Sequence, residues 1–224
     1  MKILALEFSS PQRSVAFVDA KPGGPVLYAG EVVRSGGRAT PAFVMIEEVV
    51  AQAGVQREAI ECVAVGLGPG SYHGIRVAIA LAQGWQLARD TRSLGISSAE
   101  GIAAQAHADG LRGPITVAVD AQREELYVAD YELTASGWRE VQPLRLAPVI
   151  QVQATTKTGQ VLVGPEVTRW FPDGRVVFPR ADTLGRLAAN RNDFIAGEKL
   201  EPIYLRATTF VKAKPPQFPD ETAR

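Results

Sequence analysis

Two apolar runs that each end in an acid, Ile3–Glu7 and Ile115–Asp120, do most to limit what this 224-residue chain can become. Behind each acid the same order of elements follows. In the first half it runs through strand-like segments Ser14–Val18 and Val26–Arg34, split by the turn Lys21-Pro-Gly-Gly-Pro25. A helix then opens at Thr40-Pro41, an N-cap and first-turn pair, and closes near Gly54. The strand Cys62–Gly66 and a helix from near Gly74 to Arg89 come next, then Ser93–Ile96 and a helix over Ser98–His107. In the second half the strands are Glu125–Leu133 and Trp138–Leu144, a short helix Pro148–Ala154, and the strand Gln160–Gly164. Val176–Phe178 and a helix over Asp182–Ala196 complete it. Identity between the halves is low, so the repeat is one of pattern. A β-β-β-α-β-α unit used twice predicts two similar mixed α/β lobes with a cleft between them, residues 1–110 and 111–206, the last segment returning to the first lobe. Residues 207–224, rich in proline and charge, read as a loosely ordered tail.

Charge narrows the function classes. Lysine plus arginine and aspartate plus glutamate number 24 each, and residues 1–103 hold nine of each sign, so neither half is a polyelectrolyte. Gripping a nucleic acid would need a local patch, and no dense Lys/Arg run occurs. The single Cys62 cannot form an intramolecular disulfide and suits core packing. The start Met1-Lys-Ile-Leu-Ala-Leu-Glu7 turns acidic too soon for a signal peptide. No run of eighteen apolar residues is present, so a cytoplasmic protein without a membrane span is expected.

The run Val63-Ala-Val-Gly-Leu-Gly-Pro-Gly-Ser-Tyr-His-Gly-Ile-Arg76 carries the strongest local signal. It reads as a buried strand, a glycine turn and a helix start. Such a turn can aim backbone N–H groups and a helix dipole at a phosphate, or it can be a tight connection that binds nothing. A Walker loop is excluded, because Gly74-Ile75-Arg76 stands where Gly-Lys-Ser/Thr is required, and the Rossmann spacing fails at Ser71 and His73.

Duplicated lobes with acid-tipped first strands and a Gly-Pro-Gly-Ser turn resemble the actin/hexokinase/Hsp70 superfamily, whose lobes have the actin-like ATPase or RNase H-like (ASKHA) α/β fold. Within it, five blocks occur in the order seen in the TsaB (YeaZ) family. They are Leu4-Ala-Leu-Glu-Phe-Ser-Ser10, Gly68-Pro-Gly-Ser-Tyr-His-Gly-Ile-Arg76, Gly95-Ile-Ser-Ser98, Val119-Asp-Ala-Gln-Arg-Glu-Glu-Leu-Tyr127 and Pro202-Ile-Tyr-Leu-Arg206. The resemblance implies a non-catalytic, TsaB-like subunit of the complex that makes N6-threonylcarbamoyladenosine in ANN-decoding tRNAs. Its partners would be a TsaD-like catalytic subunit, a TsaE-like ATPase and tRNA through the complex, with a homodimer when alone. The chain departs from the family at Glu7-Phe8-Ser9, where Asp-Thr-Ser is usual, at Ser71-Tyr72-His73-Gly74, where Ser-Phe-Thr-Gly is usual, and at Asp120-Ala121-Gln122, where Asp-Ala-Arg is usual.

The catalytic relative holds a metal through two histidines one helical turn apart, in a motif like Asn-His-x-Glu-Gly-His. Here Ser97-Ser98-Ala99-Glu100-Gly101-Ile102 takes that place, with Ser98 and Ile102 at the ligand positions. Isoleucine ligates nothing, and His73 and His107 are far apart, so no metal site is expected. His107 near a helix end suits a C-terminal charge cap, and His73 a solvated loop. The helix Ile75–Arg89 is apolar nearly all round and must be covered on both sides. The resemblance puts a partner interface on the first two helices, at Phe43, Ile46, Glu47, Val50, Ile75, Ala78, Ile79, Ala82 and Trp85. From periodicity, Phe43, Ile46, Val50 and Ala53 share a face, with Glu47 and Glu48 solvated beside it.

Two other readings stay open. A free-standing ATPase or phosphotransferase would bind ATP or ADP with Mg²⁺ through Glu7, Ser9, Gly68, Pro69, Gly70, Ser71 and Asp120. A glycoprotease-like peptidase would use Ser71, although Gly-x-Ser-x-Gly is absent.

Overall fold

A computed structural model describes residues 1–21, 23–36, 41–155 and 159–206. The first sheet is built from β1 (Lys2–Glu7), β2 (Gln12–Ala20), β3 (Val26–Ser35), β4 (Cys62–Gly66) and β5 (Arg92–Ile96), in the spatial order β3-β2-β1-β4-β5. β1 pairs antiparallel with β2 and parallel with β4, and β4 pairs parallel with β5. The second sheet repeats this with β6 (Gly113–Asp120), β7 (Glu125–Leu133), β8 (Trp138–Pro148), β9 (Val161–Gly164) and β10 (Arg175–Val176), ordered β10-β9-β6-β7-β8. The predicted duplication is therefore present strand for strand. β1 and β4 are continuous apolar runs because both of their faces are covered, whereas the edge strand β3 is mostly half-buried or exposed.

Helices α1 (Ala42–Gln52) and α2 (Tyr72–Arg89) cover one face of the first sheet, packing Met45, Val49, Ile75 and Ala82 on Leu4, Leu6, Phe17 and Val65. The opposite face is covered by α5 (Ala181–Ala189), whose Leu184 and Ala188 meet Ile3, Ala16, Val18 and Leu94. On the second sheet, α3 (Ser98–Ala108) covers one face with Ile102, Ala103 and Ala106. The short α4 (Val149–Thr155), with Val167, Trp170 and Phe171, covers part of the other. The two lobes thus exchange helices across the boundary expected at residues 110 and 111. α3 precedes it yet serves the second sheet, and α5 follows it yet serves the first.

Several boundaries differ from expectation. α5 stops at Ala189 rather than 196, because the chain turns back to lay Ile195 against Ser93 at the edge of β5. β8 extends four residues beyond Leu144, to Pro148. α2 begins at Tyr72, with Ser71 as its N-cap accepting from Gly74 N. Pro41 holds the cap position of α1 without a side-chain cap; Thr40 and the predicted tail lie outside the described residues. His107 lies in the last turn of α3, where a basic residue was expected; its Nε2 is 3.0 Å from the Thr134 carbonyl, and its ring packs on Trp138.

Candidate functional site: an interlobe cleft and an apolar groove

The sequence grouped its candidate residues into a ligand site and a partner face, and the structure redistributes both. At the ligand site, β1 ends in Glu7, but the side chain turns inward. It is wholly out of solvent. Oε1 accepts from Ser9 N at 2.7 Å and Oε2 from Ser98 Oγ at 2.8 Å. Burial pushes its carboxyl above the usual range against the pull of these bonds. The residue facing it on β4 is Gly66, where any Cβ would collide with the carboxylate. Phe8 is likewise buried, in the core beneath α1 and α2.

The glycine turn after β4 is shaped by close approach. A Cβ at Gly70 or Gly74 would overlap the backbone carbonyl of Ser9 or Phe8, so these positions let the β1–β2 loop lie directly on the turn. Ser71 N donates to Ser9 O at 2.7 Å. Gly68 faces α3 instead, donating to Ser98 Oγ and accepting from Ser98 N. The Gly68–Pro69 peptide is cis.

Between the lobes lies a cleft of about 530 Å³. Ser9, Ser10, Arg13, Pro69, Gly70 and Ser71 form its first-lobe wall. Asp120, Gln122, Tyr127 and Glu166 form the facing wall. Asp120 is already engaged: it accepts from Gln122 N at 2.7 Å and Gln122 Nε2 at 3.0 Å, and pairs with Arg169 at 3.2 Å. Burial, with Asp120 adding repulsion, raises the Glu166 carboxyl above its ordinary range. Of the residues assigned to nucleotide, Ser9, Pro69, Gly70, Ser71 and Asp120 meet at this cleft, whereas Glu7 and Gly68 do not. The Glu7/Asp120 pair that would hold Mg²⁺ through water is therefore not assembled, and the residues present do not fit a magnesium–nucleotide complex of that kind. Arg13 and Glu166 were missed by sequence reasoning; nothing in Gln12-Arg-Ser14 or Pro165-Glu166 marks them as cleft residues.

The positions matching the relative's metal ligands are structural. Ser98 and Ile102 are both fully buried, the first bonded to Glu7 and Gly68 N, the second in the core under the second sheet. Ser71 Oγ is occupied as the cap of α2, and neighbouring His73 is exposed.

The partner face needs a larger correction. Ile46, Val50, Ile75, Ala78, Ile79 and Ala82 are buried against the first sheet, so they form the lobe's own core and present nothing to a second protein. The buried stripe of α1 is Ala42, Met45, Ile46, Val49 and Val50, which turns Phe43 outward to 70% exposure. Phe43, Glu47 and the half-buried Trp85 remain at the surface. Glu47 pairs with Arg57, and Glu48 with Arg34. Between the helices runs an open groove of about 350 Å³, lined by Phe43, Ala80, Leu81, Gly84, Trp85 and Ala88. Arg57, Glu58 and Arg89 rim it, and Glu58 and Arg89 pair at 2.6 Å. Leu87, 91% exposed, extends the apolar surface on α2.

Residues 41–214 match the family model described as TsaD, tRNA N6-adenosine threonylcarbamoyltransferase. The chain is 27% identical over 188 residues to the tRNA threonylcarbamoyladenosine biosynthesis protein TsaB of Escherichia coli, covering 76% of this chain and 81% of that protein. It is 30% identical over 132 residues to the TsaB of Haemophilus influenzae, covering 57% and 52%. The fold matches YeaZ from Pseudomonas aeruginosa with a TM-score of 0.76 at 24% identity, over 91% of this chain and 99% of that one. With the family model spanning more than half its length and named relatives that are TsaB proteins, this chain belongs to the tRNA N6-adenosine threonylcarbamoyltransferase family, on its TsaB (YeaZ) branch.

Proposed function

We propose that this chain is the TsaB-type, non-catalytic subunit of the assembly that makes N6-threonylcarbamoyladenosine on ANN-decoding tRNAs, and that it docks a TsaD-like catalytic protein on the α1/α2 groove. The observation that carries this reading is the groove itself: an apolar trough between two helices, with an aromatic at each wall and a charged rim. A soluble lobe that leaves Phe43 and Leu87 uncovered gains from a partner that buries them. Ser98 and Ile102 at the positions of the relative's metal ligands support a role without chemistry of its own, as does the inward Glu7. A TsaE-like ATPase and tRNA would then join through the complex. In the absence of the catalytic partner, the same groove would serve a second copy of the chain.

The test is co-expression with the TsaD-like protein of the same organism, followed by size-exclusion chromatography and an ATPase assay of each species. A one-to-one complex and no turnover by the lone chain are expected. A chain that ignores TsaD and hydrolyses ATP alone would overturn the proposal.

A further inference from the structure

The structure assigns the interlobe cleft a different ligand from the one its fold suggests: we infer that it binds an oxyanion without a divalent cation, held by the guanidinium of Arg13. This goes beyond the partner role, which requires no ligand in the cleft.

Arg13 sits near the start of β2, at the cleft wall. Its Nε and Nη1 are out of solvent and have no hydrogen-bond partner among the described residues. Its cross-strand neighbour Arg34 does not share this condition, since it pairs with Glu48. A guanidinium is always charged, and burying its donors unpaired carries a desolvation cost that nothing in the lobe offsets. A group kept in that state at a cavity wall is poised for a counter-ion.

The surroundings fit an oxyanion. Ser71 Oγ accepts from Gly74 N, which leaves its own proton free to be donated. Ser9 and Ser10 lie on the same wall, and α2, eighteen residues long, starts at Tyr72 with its positive dipole end toward the cleft. Facing them, the Asp120 carboxylate pairs with Arg169 at 3.2 Å, and burial pushes the Glu166 carboxyl beside it above its ordinary range. With Glu7 locked inside the lobe, the Glu7/Asp120 pair that would place a hydrated Mg²⁺ across the cleft is not assembled, and the planar fork of Arg13 supplies the positive charge instead. A carboxylate and a terminal phosphate share the chemistry that such a fork recognises.

Isothermal titration of the purified full chain with inorganic phosphate, with acetate and with ADP, each in EDTA and then in Mg²⁺, tests this. Binding of at least one probe in EDTA is expected, with affinity changed less than twofold by Mg²⁺. Which probe binds distinguishes a carboxylate from a phosphate ligand. Arg13→Ala should weaken that binding at least tenfold, and Arg13→Lys, which keeps the charge without the fork, by less. Melting curves of both variants guard against misfolding, and because Nε and Nη1 have no partner among the described residues, neither should melt appreciably below wild type. Binding that requires Mg²⁺, no binding of any probe, or wild-type affinity in Arg13→Ala would each overturn the assignment.

Discussion

The carboxylate of Glu7 accepts a hydrogen bond from the Ser98 hydroxyl at 2.8 Å, and through it the tip of β1 is tied to the first turn of α3. The same hydroxyl accepts from Gly68 N at 3.1 Å, so one buried serine joins β1, the glycine turn and the helix that covers the second sheet. Ser98→Ala removes the donor to a buried carboxylate, and stability should fall by about 2–3 kcal/mol. Chemical denaturation monitored by tryptophan fluorescence would show it; a loss below about 0.5 kcal/mol would mean the network contributes nothing.

Glu7 also predicts a pH dependence. Its folded-state carboxyl is raised above the ordinary value of 4.5, so between the two values the native state binds more protons than the unfolded chain. Its contribution to stability is then greatest below the ordinary value, and falls as pH rises toward the folded one. Glu7→Gln cannot ionise, so its melting temperature should lose this part of the decline with pH. Parallel slopes for variant and wild type above pH 4.5 would contradict the assignment.

Gly84 lies on the groove with open space beside it. Gly84→Arg should raise helix stability by about 0.5–1 kcal/mol, since glycine is a poor helix interior residue. It should also fill the trough and weaken binding to the TsaD-like protein at least tenfold, which titration calorimetry would read. Charge at Ala78 or Ala82, which the sequence pointed to for this purpose, would instead disrupt the lobe core.

The turn between β6 and β7 holds Gln122, Arg123 and Glu124 consecutively in the left-handed region, with φ of 61°, 60° and 57°. Arg206 braces it by bonding to the Gln122 carbonyl and to Glu125. The left-handed conformation costs a non-glycine residue roughly 1–2 kcal/mol. Arg123→Gly, at an exposed position, should therefore stabilise the protein by about 0.5–1 kcal/mol, net of glycine's greater freedom when unfolded. A destabilised variant in thermal melts would show that the Arg123 side chain has a structural job.

Cys62 is fully buried, and burial pushes its thiol up to about 12. A thiol-disulfide reagent at pH 8 should leave it untouched in the native protein and label it at once in denaturant. Fast labelling of native protein would mean that β4 opens locally.

The succession of strands and helices along the chain and its duplication could be read directly, because apolar runs such as Cys62–Gly66 have the length and flanks of a buried strand. Helix facing was harder. Periodicity placed Phe43 with Ile46 and Val50, yet Ala42 and Met45 take the inward positions, and an aromatic facing outward obeys no rule of burial. The nearly all-apolar α2 signalled two covered faces, but Ile75, Ala78, Ile79 and Ala82 lie in the lobe core, and Ala80, Leu81, Gly84, Trp85 and Ala88 line the groove. At the cleft, the Glu7 position was visible, while its inward rotamer depends on Ser98, ninety-one residues away. Arg13 was invisible too: an arginine in a strand declares its charge, and not that its Nε and Nη1 have no partner among the described residues.

The exchanged helices carry a consequence for synthesis. Five strands and two helices of the first lobe emerge before residue 97, but the face that α5 covers stays bare until Ala181–Ala189 has been made. At about 5–20 residues per second, Ile3, Ala16, Val18 and Leu94 remain uncovered for several seconds on every nascent chain. Neither half can be finished alone, so a ribosome-bound chain of this length is a natural client for a chaperone that holds an apolar sheet face until its last helix arrives.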